Sequence, residues 1–133
     1  MKKRVRVVAA LFTRGDTVLV QQRPPDKSRA LLWEFPGGKV EAGEADEAAL
    51  ARECAEELGV SVSVGERLWS VVHEYADLAV ELVLYRAAMA ADAVPQPHEA
   101  HQLAWVERAR LPGMEFCEAD VPLLPRLAAG EFA

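Results

Sequence analysis

Apolar positions near the start of the chain run in short blocks, then take up a helical period in its middle. Val5 to Phe12 and Thr17 to Gln22 are rich in Val, Ala and Leu and are joined by the short turn Arg14-Gly15-Asp16, so they predict a hairpin. Arg23 to Ser28 carries two prolines and predicts a loop, and the apolar run Leu31 to Phe35 is stopped by Pro36-Gly37-Gly38. From Ala45 to Leu58 the residues Ala48, Leu50, Ala51, Cys54, Ala55 and Leu58 recur at helical spacing, and Gly59 suits the left-handed conformation that ends a helix. Arg67 to Tyr75 and Leu78 to Ala88 predict two longer strands around Ala76-Asp77, and Leu103 to Val106 predicts another. Asp120-Val121-Pro122 predicts an N-cap and first turn, opening a helix through Leu127. Strands, a long helix, further strands and a last helix predict an α+β fold or three-layer sandwich around a mixed sheet.

A length of 133 residues predicts one domain spanning 1–133. The net charge of -6 argues against a nucleic acid polymer as ligand, since phosphate-backbone binding needs a basic stripe. A polyanionic substrate would need a cation to bridge it. The basic N-terminus leads into a run too short to span a membrane and without a cleavage site. Cys54 and Cys117 form neither a disulfide framework nor a zinc motif, so the expected setting is cytoplasmic.

The expected helix crowds its carboxylates. Glu53, Glu56 and Glu57 stand at i, i+3 and i+4, on one face and within reach of a common point, where like charges repel. From the charge pattern alone, this is either a solvated helix face or a ligand set for a hard cation. Oxygen ligands suit Mg²⁺ or Mn²⁺, with substrate phosphates completing the shell, and no EF-hand loop is present to suggest Ca²⁺. Gly37-Gly38 in front of the helix can bring bare backbone to a metal or phosphate. Glu44 is placed at the start of the helix, where its dipole favours a carboxylate, and Arg52 is placed to orient Glu53.

Gly38, five residues, Glu44, seven residues, then Arg52-Glu53-Cys54-Ala55-Glu56-Glu57-Leu58-Gly59-Val60 resembles the Nudix box, with Cys54 standing where an aliphatic residue is usual. The box spans 38–60, and Trp33 to Glu41 and Asp120 to Leu124 extend the similarity toward MutT-like enzymes. The resemblance implies a Nudix-type α/β/α sandwich, a mixed sheet between helices, with the box as loop, helix and loop. It implies that the Gly38 carbonyl, Glu53, Glu56, Glu57 and Glu99 hold Mg²⁺, with Mn²⁺ as an alternative, and that Glu53, Arg52, Glu56 and Glu99 serve catalysis. Arg23 and Lys39 become the phosphate-side cations, and Phe35 and Tyr75 become residues that stack on the base. His98 and His101 flank Glu99 and are equally suited to a solvated loop, while Trp33, Trp69 and Trp105 are expected to pack. Asp120 falls where the family recognises the base, often with Asn. An ionised Asp only accepts hydrogen bonds unless burial keeps it protonated, and its alternative is a plain N-cap.

The implied activity is Mg²⁺-dependent hydrolysis of a nucleoside triphosphate to its monophosphate and pyrophosphate, clearing oxidised nucleotides such as 8-oxo-dGTP. The alternatives are a hydrolase of CTP or modified pyrimidine triphosphates, and a catalytically silent nucleotide-binding domain. No membrane and no obligate protein partner are expected.

Overall fold

The computed structural model describes residues 2–133, so Met1, where the expected domain begins, lies outside them. In chain order run β1 (Lys3–Leu11), β2 (Thr13–Arg14), β3 (Thr17–Gln22), β4 (Trp33–Glu34), β5 (Gly37–Lys39), α1 (Asp46–Leu58), β6 (Val62–Glu74), β7 (Leu78–Met89) and β8 (Gln102–Glu107). A first 3-10 turn (Arg108–Gly113), a second (Glu118–Leu123) and α2 (Leu124–Ala128) complete the chain.

The α+β expectation holds, but with two sheets. One has the order β5-β1-β7-β6 and is mixed, with β1 parallel to β7 and the other pairs antiparallel. The other is antiparallel, with β3 pairing to β2, β4 and β8. The mixed sheet is buried on both faces, which is why β1 and β7 read as continuous apolar runs rather than as an alternation. Ala9, Leu11, Leu82 and Leu84 face a core shared with β3, the 3-10 turns and α2. Val8, Ala10, Val83 and Tyr85 face Leu50, Cys54 and Leu58 of α1. Cys54 is fully buried, so it fills the aliphatic position as a small hydrophobe.

Helix α1 starts one residue after the expected Ala45, which serves as N-cap without a side-chain bond. Asp46 in its first turn accepts hydrogen bonds from Arg6 Nε at 2.8 Å and the Tyr85 hydroxyl at 2.7 Å, tying the helix to β1 and β7. Gly59 ends it in the left-handed conformation, φ 69°, its N–H bonded to the Ala55 carbonyl. β6 begins five residues before the expected Arg67, because register shifts near Arg67 break the alternation that a strand normally shows.

The last helix corrects the expectation. Asp120 is no N-cap: it lies inside the second 3-10 turn, whose own N-cap is Cys117, and α2 starts only at Leu124. The Asp120 side chain points into the protein, where Ala119, Leu123 and Leu124 are also buried.

β5 lies flat against β1, and this contact requires Gly37. Its φ is 157°, and a Cβ there would strike the Val8 carbonyl. Gly37→Ala is therefore expected to destabilise the protein by more than about 2 kcal/mol, read as a lower urea midpoint at unchanged slope.

Candidate active site

Glu53 and Glu57 lie on the arc of α1 between the buried Ala49 and Leu50, so packing that face also brings them to the glycine loop of β5. A Cβ at Gly38 would occupy the space of the Glu53 carboxylate, so this glycine leaves room for a side chain from the helix. Arg52 braces the arrangement. Its Nε and Nη2 donate to the Glu44 carboxylate at 2.9 Å each, Nη1 donates to Glu53 Oε1 at 2.8 Å, and Nη2 also reaches the Lys39 carbonyl at 3.1 Å. The fork holds Glu44 down to about 2. Glu44 precedes the first helical turn, which belongs to Asp46 and Glu47, so Arg52 rather than the helix dipole is its partner.

Glu57 Oε1 accepts the Gly37 N–H at 3.0 Å. Burial, then the charge of Glu34 and that of Glu53, push its carboxyl up to about 8. Glu53 is also raised, by burial first and then by Glu56 and Glu99, against the pull of Arg52. Glu56 is half-exposed, 3.5 Å from Arg52 Nη1. Glu99 sits exposed in the loop before β8 and lines a small cavity with Gln21, Glu34 and Glu57. That loop is docked on the end of α1, where the His98 N–H donates to the Glu57 carbonyl and Gln96 N–H to that of Leu58. His98 rests against Gly59, and the His101 N–H is spent on the Gln22 carbonyl.

Among the described residues, no trio of His, Cys, Asp or Glu side chains already surrounds one point. Glu53 and Glu56 share the Arg52 guanidinium as donor, while Glu57 turns to the Gly37 N–H. The donor set nevertheless fits a hard divalent cation. All are oxygen ligands, and the raised Glu53 and Glu57 are anions that burial and neighbours disfavour and that a shared cation would stabilise.

This predicts a stability profile. Glu57 titrates normally near 4.5 and in the fold near 8, so the folded state holds its proton over a wider range than the unfolded chain. Its contribution is fully present below 4.5 and is lost as pH rises through 8, at about 1.4 kcal/mol per unit displaced. The melting temperature without metal is expected to fall between pH 5 and pH 9, and saturating Mg²⁺ or Mn²⁺ is expected to reverse the fall by binding the ionised native form. A flat profile in thermal scans with and without metal would contradict this.

Beside the carboxylates opens a cavity of about 320 Å³. Glu53, Glu57, Gly38 and Lys39 line one part, and Cys117, Ala119 and Asp120 another. Asp120 is 4% exposed, and burial followed by the charge of Glu34 raises its pKa well above the ordinary value. Burial therefore favours its protonated form, which offers one donor and one acceptor in place of acceptors alone. Glu34 keeps about a quarter of its side-chain exposure but stands at the foot of the cavity, and burial raises its pKa against the pull of Arg23 and Gln21.

Arg23 lines the cavity already engaged, with Nη1 3.2 Å from Glu34 and Nε 2.7 Å from the Ser28 carbonyl. Lys39 is exposed at the rim. Phe35 touches the cavity but belongs to the core, packed against Phe116 at 5.5 Å between ring centres. Tyr75 also lines it, yet its ring is covered by the Arg29 guanidinium at 4.0 Å and its hydroxyl accepts the Ala119 N–H at 3.0 Å. Trp33 and Trp69 pack on the core beneath β3 and Trp105 on the core beneath α1, as expected. Sequence reasoning missed Glu34, Arg29 and Gln21. The one available signal was an acidic residue inside the apolar run Leu31 to Phe35.

Comparison with known proteins places these features in context. The chain matches the NUDIX domain over residues 7–126. It is 36% identical to the CTP pyrophosphohydrolase of Escherichia coli (strain K12), covering 96% of this chain and 93% of that protein. It is 41% identical to the putative 8-oxo-dGTP diphosphatase 2 of Mycobacterium tuberculosis (strain ATCC 25618 / H37Rv), covering 86% and 81%. The solution structure of the E. coli ORF135 protein superposes with a TM-score of 0.82 at 35% identity, covering 99% of this chain and 96% of that one.

Proposed function

Because the chain belongs to the NUDIX family of hydrolases acting on phosphorus anhydrides, we propose that it splits nucleoside triphosphates into a monophosphate and pyrophosphate, with oxidised nucleotides such as 8-oxo-dGTP as its substrates. The observation that carries this reading is one cavity lined both by the carboxylates suited to a cation and by a buried acid whose protonated form burial favours. Such a cavity matches a ligand with phosphates at one end and a base at the other.

The Gly38 carbonyl, Glu53, Glu56, Glu57 and Glu99 are the residues to hold Mg²⁺, for which Mn²⁺ is the expected substitute. Bound there, the ion supplies charge neutralisation for the phosphate oxygens. The chain does the rest. Arg52 fixes the Glu53 carboxylate, and Gly37 N–H fixes Glu57. Lys39 at the rim and Arg23 above Glu34 meet the phosphate chain and offset the charge that develops on its leaving oxygens. A carboxylate of the box or Glu99 takes the proton of the attacking water, which enters in line with the departing phosphate oxygen.

CTP or a modified pyrimidine triphosphate is the second reading, favoured by the near full-length similarity to the CTP pyrophosphohydrolase. In the protonated form that burial favours, Asp120 can pair with N1–H and O6 of guanine or with N3 and the N4 amine of cytosine, so it suits both. The experiment is a panel of canonical and oxidised nucleoside triphosphates, with products separated as pyrophosphate or orthophosphate. Preference for 8-oxo-dGTP with pyrophosphate release supports the first reading and preference for CTP the second. Orthophosphate as the sole product, or no turnover of any triphosphate, would refute both.

A further inference from the structure

Gln21 is a buried polar residue to which the reaction described above gives no part. It lies on β3, directly opposite Glu34 in the β3/β4 ladder, and is 3% exposed. Its Nε2 stands between two carboxylates, 3.2 Å from Glu34 Oε2 and 3.5 Å from Glu57 Oε2. Its Oε1 is buried and has no hydrogen-bond partner among the described residues. Turned this way, Nε2 donates to both carboxylates in their ionised form, which only accept. An apolar side chain would fill this position without an orphaned acceptor, so the amide serves the carboxylates at the expense of stability.

We propose that Gln21 is a positioning residue that links the base-side carboxylate Glu34 to the helix carboxylate Glu57, so that a change at the nucleotide pocket alters cation binding on α1. The proposal rests on the reading of Glu57 as a cation ligand and of Glu34 as a pocket group. A primary amide has two N–H groups, one for each carboxylate. When Glu34 turns to a donor on the ligand, it releases its share of the amide to Glu57, which is then held more firmly beside Gly37. When a cation draws Glu57 away, the amide passes wholly to Glu34 and orients it. The linkage is reciprocal, as any coupling of two binding equilibria must be.

The test uses Mn²⁺ alone as probe, its free concentration read by electron paramagnetic resonance on the full chain, so that no turnover is involved. Glu34→Gln is titrated in the wild-type background and in Gln21→Met, with Gln21→Leu as a second background that also lacks the amide. Direct charge interaction between Glu34 and the cation persists in every background, whereas the linkage through Gln21 does not. The expected result is that Glu34→Gln shifts the Mn²⁺ dissociation constant by a factor that differs between backgrounds about threefold or more, with Gln21→Met as thermally stable as wild type or more so. An equal shift in all three backgrounds would overturn the proposal, since a merely structural Gln21 changes melting temperature without changing the coupling. Glu57→Gln is the control: if it leaves Mn²⁺ affinity unaltered, the cation-site reading itself fails and the proposal with it.

Discussion

Glu53→Gln and Glu57→Gln are each expected to lower turnover about a hundredfold or more at saturating Mg²⁺, while the metal-free protein stays as stable as wild type or becomes more stable. Both effects follow from the same charges. Glutamine keeps the shape and can still accept the Arg52 and Gly37 hydrogen bonds, so the loop and helix stay in place. It removes an anionic oxygen from the cation's ligand set and from the field that meets the phosphates. It also removes a charge that burial disfavours: Glu57 is repelled by Glu34 and Glu53, and Glu53 by Glu56 and Glu99. Steady-state assays with thermal melts of the metal-free variants separate the two outcomes. Near wild-type turnover in both variants would end the metal-site reading, and a large loss of stability would show that these side chains hold the fold.

The second large effect is expected at Asp120. Asp120→Ala should reduce kcat/KM for the preferred nucleotide about a hundredfold, because a site built to hydrogen-bond a base is left unpaired against it. Stability should not fall, since alanine removes a desolvated acid that caps no helix. Asp120→Asn should retain most activity, because its amide offers one donor direction and one acceptor, as the protonated acid does. The two differ in their pH dependence. As pH rises through the raised pKa of Asp120, the wild type loses its donor and kcat/KM falls, whereas the Asn variant has no such limb. Unchanged ranking of 8-oxo-dGTP, dGTP, CTP and dCTP in Asp120→Ala would reduce the residue to packing and leave Glu34, Cys117 and backbone groups to select the base.

The features legible in the sequence are those whose physics is local. The helical period of Leu50, Cys54 and Leu58, the left-handed Gly59 behind it and the i, i+3, i+4 spacing of Glu53, Glu56 and Glu57 are properties of one helix, and α1 has them. Gly37-Gly38 before that helix reads as backbone access for a metal or phosphate, and in the fold Gly37 allows the close approach to β1 while Gly38 leaves room for Glu53. β6 was only half visible, because its register shifts near Arg67 displace side chains from strict alternation.

What only the tertiary structure decided are protonation states and partnerships. Glu34 meets Glu57 and Gln21 because β4 pairs with β3 under the end of α1, and no period along the chain encodes that meeting. Arg29 covers one face of Tyr75 because two separate loops close on each other, a contact that no period along the chain encodes. Asp120 looked like a cap, since Asp before Val-Pro is what begins a helix. Packing turned it inward instead, and exclusion of water, with Glu34 nearby, favours the protonated carboxyl. Composition and spacing determine which ionisable groups a chain carries and which share a face, whereas their charge depends on solvent exclusion and neighbours that exist only once distant segments have packed.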